Sequence, residues 1–269
     1  MSSDAQRQSQ GYQISDSGQE IPCIALPEPN LHMEQDAEWC VIRGEDGWQE
    51  LRFHDYGQLY MTPGLYERLF YDILKCNSPT TVRKLLEGQM KKAGESPETL
   101  RVFDLGAGNG MMAEELADLG IEMVVGADII EEAALAAERD RPGLYADYFV
   151  ADLTNLSLLE RRKLASFRFN ALTCVAALGF GDIPPRAFAE AYNLVETNGW
   201  IAFNIRDNFL EDEDQTGFAA LIRRMIDEGL FSLEVQKRYQ HRVATNGEPL
   251  YYAALVGRKR KSVPITWTE

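Results

Sequence analysis

The chain has 269 residues, of which 45% are apolar and 26% charged, a composition that suits one α/β domain with an extension. No apolar run approaches the ~20 residues that a membrane-spanning helix needs, and the first residues lack the apolar segment of a secretory signal. The formal net charge of −15 argues against nucleic acid as a partner, because proteins that neutralise phosphates usually have a basic face. The four cysteines are scattered without a CxxC pair, so reduced thiols, no structural zinc site and a cytoplasmic location are expected.

The first 95 residues are predicted to contain a tail and an extension. Residues 1–20 are polar and rich in Ser and Gln, so they are predicted to be disordered. The extension, residues 21–95, begins as an irregular arm. Two strand-like runs then flank a Gly/Asp turn and predict a β-hairpin, Glu38–Arg43 and Trp48–Phe53.

Two cap helices are predicted to complete the extension. Thr62-Pro63 and Ser78-Pro79 each combine a hydroxyl that can cap a helix with a proline that suits its first turn. After the first pair, apolar residues recur at helical spacing, namely Leu65, Leu69 and Ile73.

From residue 96 to residue 261, strands and helices alternate. The predicted strands, in chain order, are Leu100–Leu105, Ile121–Ala127, Tyr148–Ala151, Phe169–Val175 and Trp200–Ile205. Helices are predicted after them at Met111–Leu119, Glu131–Asp140, Leu156–Ala165, Pro185–Val195 and 215–228. The last two strand-like runs flank Asn246-Gly247, a strong hairpin-turn signal, and are Phe231–Val243 and Leu250–Gly257.

Repeated βα units predict a doubly wound, Rossmann-like α/β fold with helices on both faces of a mostly parallel, seven-stranded sheet. The terminal hairpin is expected to add an antiparallel strand at one edge. Residues 262–269 are expected to form a tail.

The stretch Asp104-Leu-Gly106-Ala-Gly108-Asn-Gly110 follows the first strand of this sheet and opens a helix. Glycine lets such a turn approach a ligand closely, at the carboxyl ends of the strands. The spacing G-x-G-x-G differs from the dinucleotide pattern G-x-G-x-x-G, and no Lys-Ser/Thr pair closes a phosphate loop. A carboxylate at Asp104 would be awkward beside a pyrophosphate. It suits a cationic ligand, such as the ammonium and sulfonium of S-adenosylmethionine.

Two further acids follow the next two predicted strands. Asp128 can accept hydrogen bonds from ribose hydroxyls, as acids at this position do in nucleotide folds. Asp152 can meet an adenine amino group. Three acids at three successive strand ends are more specific than the glycines alone.

With this glycine loop and these acids, residues 100–257 resemble a class I S-adenosylmethionine-dependent methyltransferase. The matching segments are Phe103–Gly110, Gly126–Ile129, Val150–Leu153, Phe169–Leu178 and Leu194–Trp200. Within the class, Cys174–Pro184 and Asn204–Phe209 are similar to the Williams–Beuren-region methyltransferase-like branch and, more loosely, to quinone-biosynthesis methyltransferases. The chain departs from the class at Asn170, where relatives usually have Asp, and at Thr197-Asn198, where they have Pro-Gly.

The resemblance implies S-adenosyl-L-methionine as cofactor and assigns a role to ten residues. The glycine loop would line its methionine part, and Asp104 would lie near its ammonium. Asp128 would hold the ribose and Ile129 would pack on the adenine, whose edge would meet Asp152 and Leu153. Cys174 would lie beside the methionyl group through its backbone. The implied cofactor-binding residues are Asp104, Gly106, Ala107, Gly108, Gly110, Asp128, Ile129, Asp152, Leu153 and Cys174.

The catalytic base is not evident from the residues. Lone histidines are more often structural than catalytic, and the chain has His32, His54 and His241. His54 is the best candidate among them because it precedes the predicted cap helix and lies near several tyrosines. The catalytic candidates are His54, Tyr56, Tyr60 and Arg206. The tyrosines could equally pack the cap onto the domain.

No metal ion is expected. Asp207-Asn208, with Asp182 as a third ligand, is similar to the magnesium site of catechol-type methyltransferases, but it falls too late in the loop after the fifth strand.

Methyl transfer to a small molecule through an O, N or C nucleophile is therefore the predicted function. A protein methyltransferase and a non-catalytic binding protein with the same fold remain alternatives. Residues 38–76 are expected to form a substrate lid, with a homodimer interface as the competing interpretation.

Overall fold

A computed structural model describes residues 12–14, 20–28, 33–44, 47–210 and 214–268. The chain divides into two compact units. The smaller contains Met1–Cys76 and His241–Leu250, and the larger contains Asn77–Gln240 and Tyr251–Glu269. Among the described helices, none is both long enough and apolar enough to span a membrane.

Among its described residues, the smaller unit contains five short strands and two helices. The strands are β1 (Tyr12–Ile14), β2 (Glu20–Pro22), β3 (Ile24–Ala25), β4 (Trp39–Gly44) and β5 (Gly47–Arg52). The predicted hairpin is confirmed, because β4 pairs with β5 in antiparallel register from Trp39↔Arg52 to Gly44↔Gly47. Its other neighbour, which the sequence did not indicate, is β3. Most of the predicted disordered tail lies outside the described residues, but β1 within it pairs with β2.

The predicted helix start at Thr62-Pro63 is wrong. Helix α1 (Tyr56–Met61) ends there instead, and Thr62 has an extended backbone with φ −93° and ψ 112°. Proline disfavours the helical conformation in the residue before it, so Pro63 terminates α1 rather than opening a helix. Helix α2 begins at Leu65 and continues as a π-helix to Ile73. The predicted periodicity holds, because Leu65 and Leu69 are fully buried.

The larger unit contains the predicted seven-stranded sheet. Its strands are β6 (Arg101–Leu105), β7 (Met123–Asp128), β8 (Asp147–Val150), β9 (Ala171–Leu178), β10 (Trp200–Arg206), β11 (Phe231–Val243) and β12 (Pro249–Lys259). The carboxyl end of β11 and the first residues of β12 belong to the smaller unit. The strand order is β11-β12-β10-β9-β6-β7-β8. The sheet is parallel from β10 to β8, and β12 pairs with β10 antiparallel. The expected fold class is confirmed.

Strand β6 lies at the point where the direction of winding reverses. Its two neighbours are β7 on one side and β9 on the other, both parallel to it. Pairing with β9 ends at Asp104↔Thr173, so the two strands separate at their carboxyl ends. Ligands of open α/β sheets bind in a crevice of this kind.

In the described part of the chain, six helices cover this sheet. They are α3 (Ser78–Ala93), α4 (Met111–Ala117), α5 (Glu131–Asp140), α6 (Leu158–Ser166), α7 (Pro185–Leu194) and α8 (Phe218–Asp227). All lie within a few residues of their predicted positions. Sequence analysis placed α3 with the N-terminal extension, but in the structure it belongs to the larger unit. Its buried residues Val82, Leu86 and Met90 pack in one core of the sheet.

The sheet has a hydrophobic core on each face. Successive side chains of a strand point to opposite faces, which assigns neighbouring residues to different cores. Val102 and Ala202 belong to the core that contains α3 and α4, whereas Phe103 and Phe203 belong to the core that contains α7 and α8. Both faces are therefore covered, which explains the nearly continuous apolar runs of the central strands.

Candidate active site

The glycine loop joins β6 to α4 at the crevice between β6 and β9. Gly106, Gly108 and Gly110 have φ values of +67°, +53° and +91°. Side chains are rarely tolerated in this left-handed region. At Gly106 the space is also filled, because a Cβ there would lie 2.6 Å from the Cβ of Ala177. Glycine at position 106 is thus required by both backbone conformation and packing.

Asp104, the fourth residue of β6, is almost fully buried beneath this loop. Its Oδ1 accepts a hydrogen bond of 2.6 Å from Thr173 Oγ1, and its Oδ2 accepts one of 2.8 Å from the hydroxyl of Tyr145. Burial raises the pKa of Asp104 to about 6; the two hydrogen bonds oppose this rise, and the charge of Asp128 adds to it. A carboxylate of this kind is ionised at neutral pH but only weakly solvated.

Asp128, the last residue of β7, holds the middle of the loop. Its Oδ2 accepts a hydrogen bond of 3.0 Å from the backbone N–H of Gly108, and its Oδ1 accepts one of 2.8 Å from that of Ile129. Burial raises its pKa, these backbone hydrogen bonds oppose the rise, and the charge of Asp182 adds to it. Each carboxylate oxygen has a second lone pair, so Asp128 can accept further hydrogen bonds from a ligand.

The chemistry of these groups fits a cationic ligand with hydroxyl donors. Asp104 and Asp128 form no ion pair with any Lys, Arg or His of the described residues, and the charge of Asp128 makes Asp104 harder to ionise. A buried acid without a cation is costly, and an ammonium group would offset that cost. The residues present therefore fit S-adenosylmethionine.

Comparison with known families supports the same assignment. Residues 103–203, from the middle of β6 to the middle of β10, match the family described as a methyltransferase domain. This segment contains the glycine loop, the buried Asp104 and the half-buried Asp128. The chain contains an S-adenosylmethionine-dependent methyltransferase domain. No curated protein matches the chain significantly.

Several solved structures are similar to the chain at low identity. One is the magnesium protoporphyrin IX methyltransferase from Synechocystis PCC 6803 with bound S-adenosylmethionine, at 18% identity and a TM-score of 0.49, covering 76% of this chain and 97% of that one. A Mesorhizobium loti S-adenosylmethionine-dependent methyltransferase has 16% identity and a TM-score of 0.45, covering 64% and 96%. A Methanosarcina mazei methyltransferase has 16% identity and a TM-score of 0.45, covering 61% and 94%.

The adenine-binding residues implied by the resemblance lie in different environments in the methyltransferase domain. Ile129, just after β7, has 62% of its side chain exposed, which is unusual for a large apolar residue and leaves it available to a ligand. Asp152 is exposed and caps a short 3₁₀ turn by accepting hydrogen bonds from the N–H and hydroxyl of Thr154. Leu153 is only 4% exposed and packs in the core, so only its backbone is free for an adenine edge.

Cys174 and Ala107 contribute mainly backbone to the domain. Cys174 was expected at the end of the fourth strand, but β9 continues to Leu178 and Cys174 lies inside it. Its thiol is fully buried, and burial raises its pKa well above the usual range, so the side chain is not a nucleophile. Ala107 donates its N–H to the carbonyl of Ala127, which ties the glycine loop to β7.

The catalytic candidates are divided between the two units. Arg206, the last residue of β10, belongs to the methyltransferase domain, and its guanidinium lies 5.9 Å from the ring centre of Phe180. His54, Tyr56 and Tyr60 belong to the smaller unit. There the rings of His54 and Tyr56 meet edge to face at 5.6 Å, and those of Tyr56 and Tyr60 stack at 6.1 Å.

The remaining polar residues considered from the sequence have other partners or lie outside the described chain. Asp207 Oδ2 accepts a hydrogen bond of 2.9 Å from Arg238, so this carboxylate is held by a guanidinium. Within the described residues no cluster of three or more His, Cys, Asp or Glu could hold a metal ion. His241 is buried, with its Nδ1 3.8 Å from the Cys76 sulfur. His32 lies outside the described residues.

Sequence analysis missed three residues that organise the site. Tyr145 and Thr173 hold Asp104, and the hydroxyl of Tyr148 donates a hydrogen bond of 2.9 Å to the carbonyl of Gly108. Gly126 allows both tyrosine rings to approach β7, because a Cβ there would lie 2.9 Å from each ring. Tyr145 and Tyr148 lie outside the segments that carry the resemblance. Thr173 lies in one of them, Phe169–Leu178, but nothing in the local sequence pairs it with Asp104.

Proposed function

We propose that the chain transfers a methyl group from S-adenosylmethionine to a small-molecule acceptor through an O, N or C nucleophile. The observation that carries the proposal is the pair of carboxylates, the buried Asp104 and the half-buried Asp128, on either side of the glycine loop and without a basic partner among the described residues. A loop for pyrophosphate would present N–H donors and positive charge instead.

In this proposal Asp104 receives the ammonium of the cofactor and Asp128 accepts hydrogen bonds from the ribose. The exposed side chain of Ile129 packs on the adenine, and Asp152 meets its amino group. Gly106, Gly108 and Gly110 let the loop backbone approach the methionine part. The buried side chains of Leu153 and Cys174 leave only their backbone groups for contact.

When bound, the cofactor supplies an already activated methyl group on a sulfonium. The protein must then hold the acceptor nucleophile in line with that methyl and exclude water. The crevice between β6 and β9 is where the domain can do so. A weakly acidic acceptor also needs a base. The catalytic candidates His54, Tyr56, Tyr60 and Arg206 stay predictions.

Three finer assignments also stay predictions. They are the branch related to the Williams–Beuren-region and quinone-biosynthesis enzymes, the cytoplasmic location, and the lid or dimer role of residues 38–76. The absence of nucleic-acid and membrane partners remains an expectation from charge and composition.

Calorimetry with S-adenosylhomocysteine and with NAD tests the cofactor part of the proposal. We expect the first to bind and the second not to bind. Tighter binding of NAD would overturn the assignment.

Incubation of a cell extract with the protein and cofactor labelled in its methyl group tests the acceptor. We expect new label in the small-molecule fraction by mass spectrometry. Label confined to the precipitated proteins would instead identify a protein methyltransferase. Binding without any transfer would identify a non-catalytic protein. The Asp128→Ala variant serves as the control for label that does not depend on the domain.

A further inference from the structure

Strand β9 contains an irregular segment beside the glycine loop. Its register with β10 shifts between Phe203↔Cys174 and Ile205↔Leu178, so Val175, Ala176 and Ala177 lie opposite the single residue Asn204. We call these three residues the β9 bulge. At its centre Ala176 has φ +57°, a left-handed conformation that is strained for a residue with a side chain.

The side chain of Asn204 holds this bulge. Asn204 is fully buried, and its Oδ1 accepts a hydrogen bond of 2.6 Å from the backbone N–H of Ala176. Its Nδ2 donates to Ser78 Oγ at 3.0 Å and to the hydroxyl of Tyr239 at 2.7 Å. The orientation of the amide is set by the Ala176 N–H, which can only donate and must therefore meet the oxygen.

The bulge in turn forms a wall of the proposed cofactor site. Ala177, the next residue, leaves no room for a Cβ on Gly106, since the two Cβ atoms would be 2.6 Å apart. The bulge and the glycine loop are therefore packed against each other. A strained backbone segment at a binding site persists only where its surroundings hold it in place.

We propose that Asn204 is a positioning residue, which sets the affinity for the cofactor by fixing the β9 bulge against Gly106. This inference rests on the proposed function. Asn204 itself is buried in a network with Ser78 and Tyr239 and acts through Ala176 and Ala177. The network joins the first turn of α3, β10 and β11 to the site.

The test compares S-adenosylhomocysteine affinity with thermal stability in full-length variants. Asn204→Thr keeps a hydroxyl for Ser78 and Tyr239 but shortens the side chain by one atom, away from Ala176. Asn204→Leu removes every hydrogen bond and keeps the branching at Cγ. Asn204→Asp keeps an oxygen for the Ala176 N–H, and burial without a cation favours its neutral form, whose hydroxyl can donate to Ser78 or Tyr239. We expect the Thr and Leu variants to lose about tenfold or more in affinity and the Asp variant to stay within about threefold of the parent.

Tyr192→Phe is the matched control for general loss of stability. It removes a buried hydrogen bond of 2.5 Å to the carbonyl of Leu230, far along the chain from the glycine loop. We expect a lower melting temperature with unchanged affinity. The proposal is overturned if a folded Asn204→Thr or Asn204→Leu variant binds S-adenosylhomocysteine like the parent. It is also overturned if Asn204→Asp loses as much affinity as these two variants, or if neither of the two folds. A parent protein that fails to bind S-adenosylhomocysteine would overturn the proposed function, and the role of Asn204 with it.

Discussion

The backbone N–H of Gly108 donates a hydrogen bond of 3.0 Å to Oδ2 of Asp128, a residue 20 positions later in the chain. One carboxylate thus both holds the glycine loop in shape and faces the region where the ribose is expected. In the proposed function, the shape of the loop and recognition of the ribose are coupled through this side chain.

Asp128→Ala should weaken binding of S-adenosylhomocysteine by about 1–3 kcal/mol, the usual loss for hydrogen bonds to a charged group. The variant loses the carboxylate that would accept hydrogen bonds from the ribose, and it also loses the hydrogen bond from the Gly108 N–H that holds the loop. Calorimetry on the parent and on the variant measures the difference, with circular dichroism to establish that the variant is folded. A folded variant that binds as tightly as the parent would contradict the assignment of Asp128.

Asp104 should make binding and stability respond to pH in opposite directions. Its pKa is raised from 3.8 to about 6 in the folded protein, so between these values the folded state holds more protons than the unfolded chain. The stability contributed by this group is therefore greatest at low pH and is lost as the pH rises through about 6. Binding of an ammonium ligand needs the carboxylate, so affinity should fall as the pH drops below about 6.

Calorimetry with S-adenosylhomocysteine from about pH 5 to about pH 8 measures this dependence. Asp104→Asn is the control, because it cannot titrate and should bind weakly with a flat profile. The same flat profile in the parent protein would show that Asp104 does not face the ammonium.

Gly106→Ala should lower the free energy of unfolding much more than Gly143→Ala does. Both glycines have left-handed backbones, with φ values of +67° and +75°, but a Cβ at Gly143 meets nothing within 4 Å. Backbone strain alone should cost Gly143→Ala about 1–2 kcal/mol of unfolding free energy. The clash with Ala177 should raise the cost of Gly106→Ala to about 2–4 kcal/mol. Denaturant unfolding compares the two, and equal losses would mean that the β9 bulge moves aside freely.

Glu38→Ala should strongly destabilise the smaller unit. Glu38 and Arg242 form an ion pair with side-chain exposures of 1% and 4%, and Glu38 Oε1 also accepts a hydrogen bond of 2.6 Å from the N–H of Thr245. Removing one partner of a buried pair leaves an uncompensated charge and costs about 3–5 kcal/mol.

The exposed pair Arg68–Asp72 in the same unit supplies the control. Its side chains are 34% and 59% exposed, so Asp72→Ala should cost less than about 1 kcal/mol. Denaturant unfolding measures both variants. Similar small losses would indicate that water reaches Arg242 when Glu38 is removed.

Much of the methyltransferase domain follows from local sequence. The alternation of strands and helices, and most helix ends, were predicted within a few residues because caps, prolines and apolar periodicity act over one or two turns. The Ser157–Glu160 capping box at the start of α6 is a signal of this kind that the prediction did not use, and the helix was placed two residues early, at Leu156. The glycine loop and the acids at 104 and 128 were also recognisable, since each lies at a strand end that periodicity locates.

Local rules failed where two signals competed. Thr62-Pro63 has the composition of a helix start, but the restriction that proline places on the residue before it ended α1 instead. The extent of β9 was underestimated because the bulge at Ala176 depends on Asn204, which lies 28 residues away in the chain.

The tertiary structure alone determined which groups meet. Strand order places β6 between β7 and β9, and this brings Thr173 and Tyr145 to Asp104 from 69 and 41 residues away. It also buries Leu153 and Cys174, whose sequence positions suggested ligand contact. Propensity and spacing describe each segment by itself, whereas burial, pKa and hydrogen-bond partners depend on segments packed together by the fold. The sequence alone therefore determined the kind of cofactor site, and the packing of distant strands decided the environment of each residue in it.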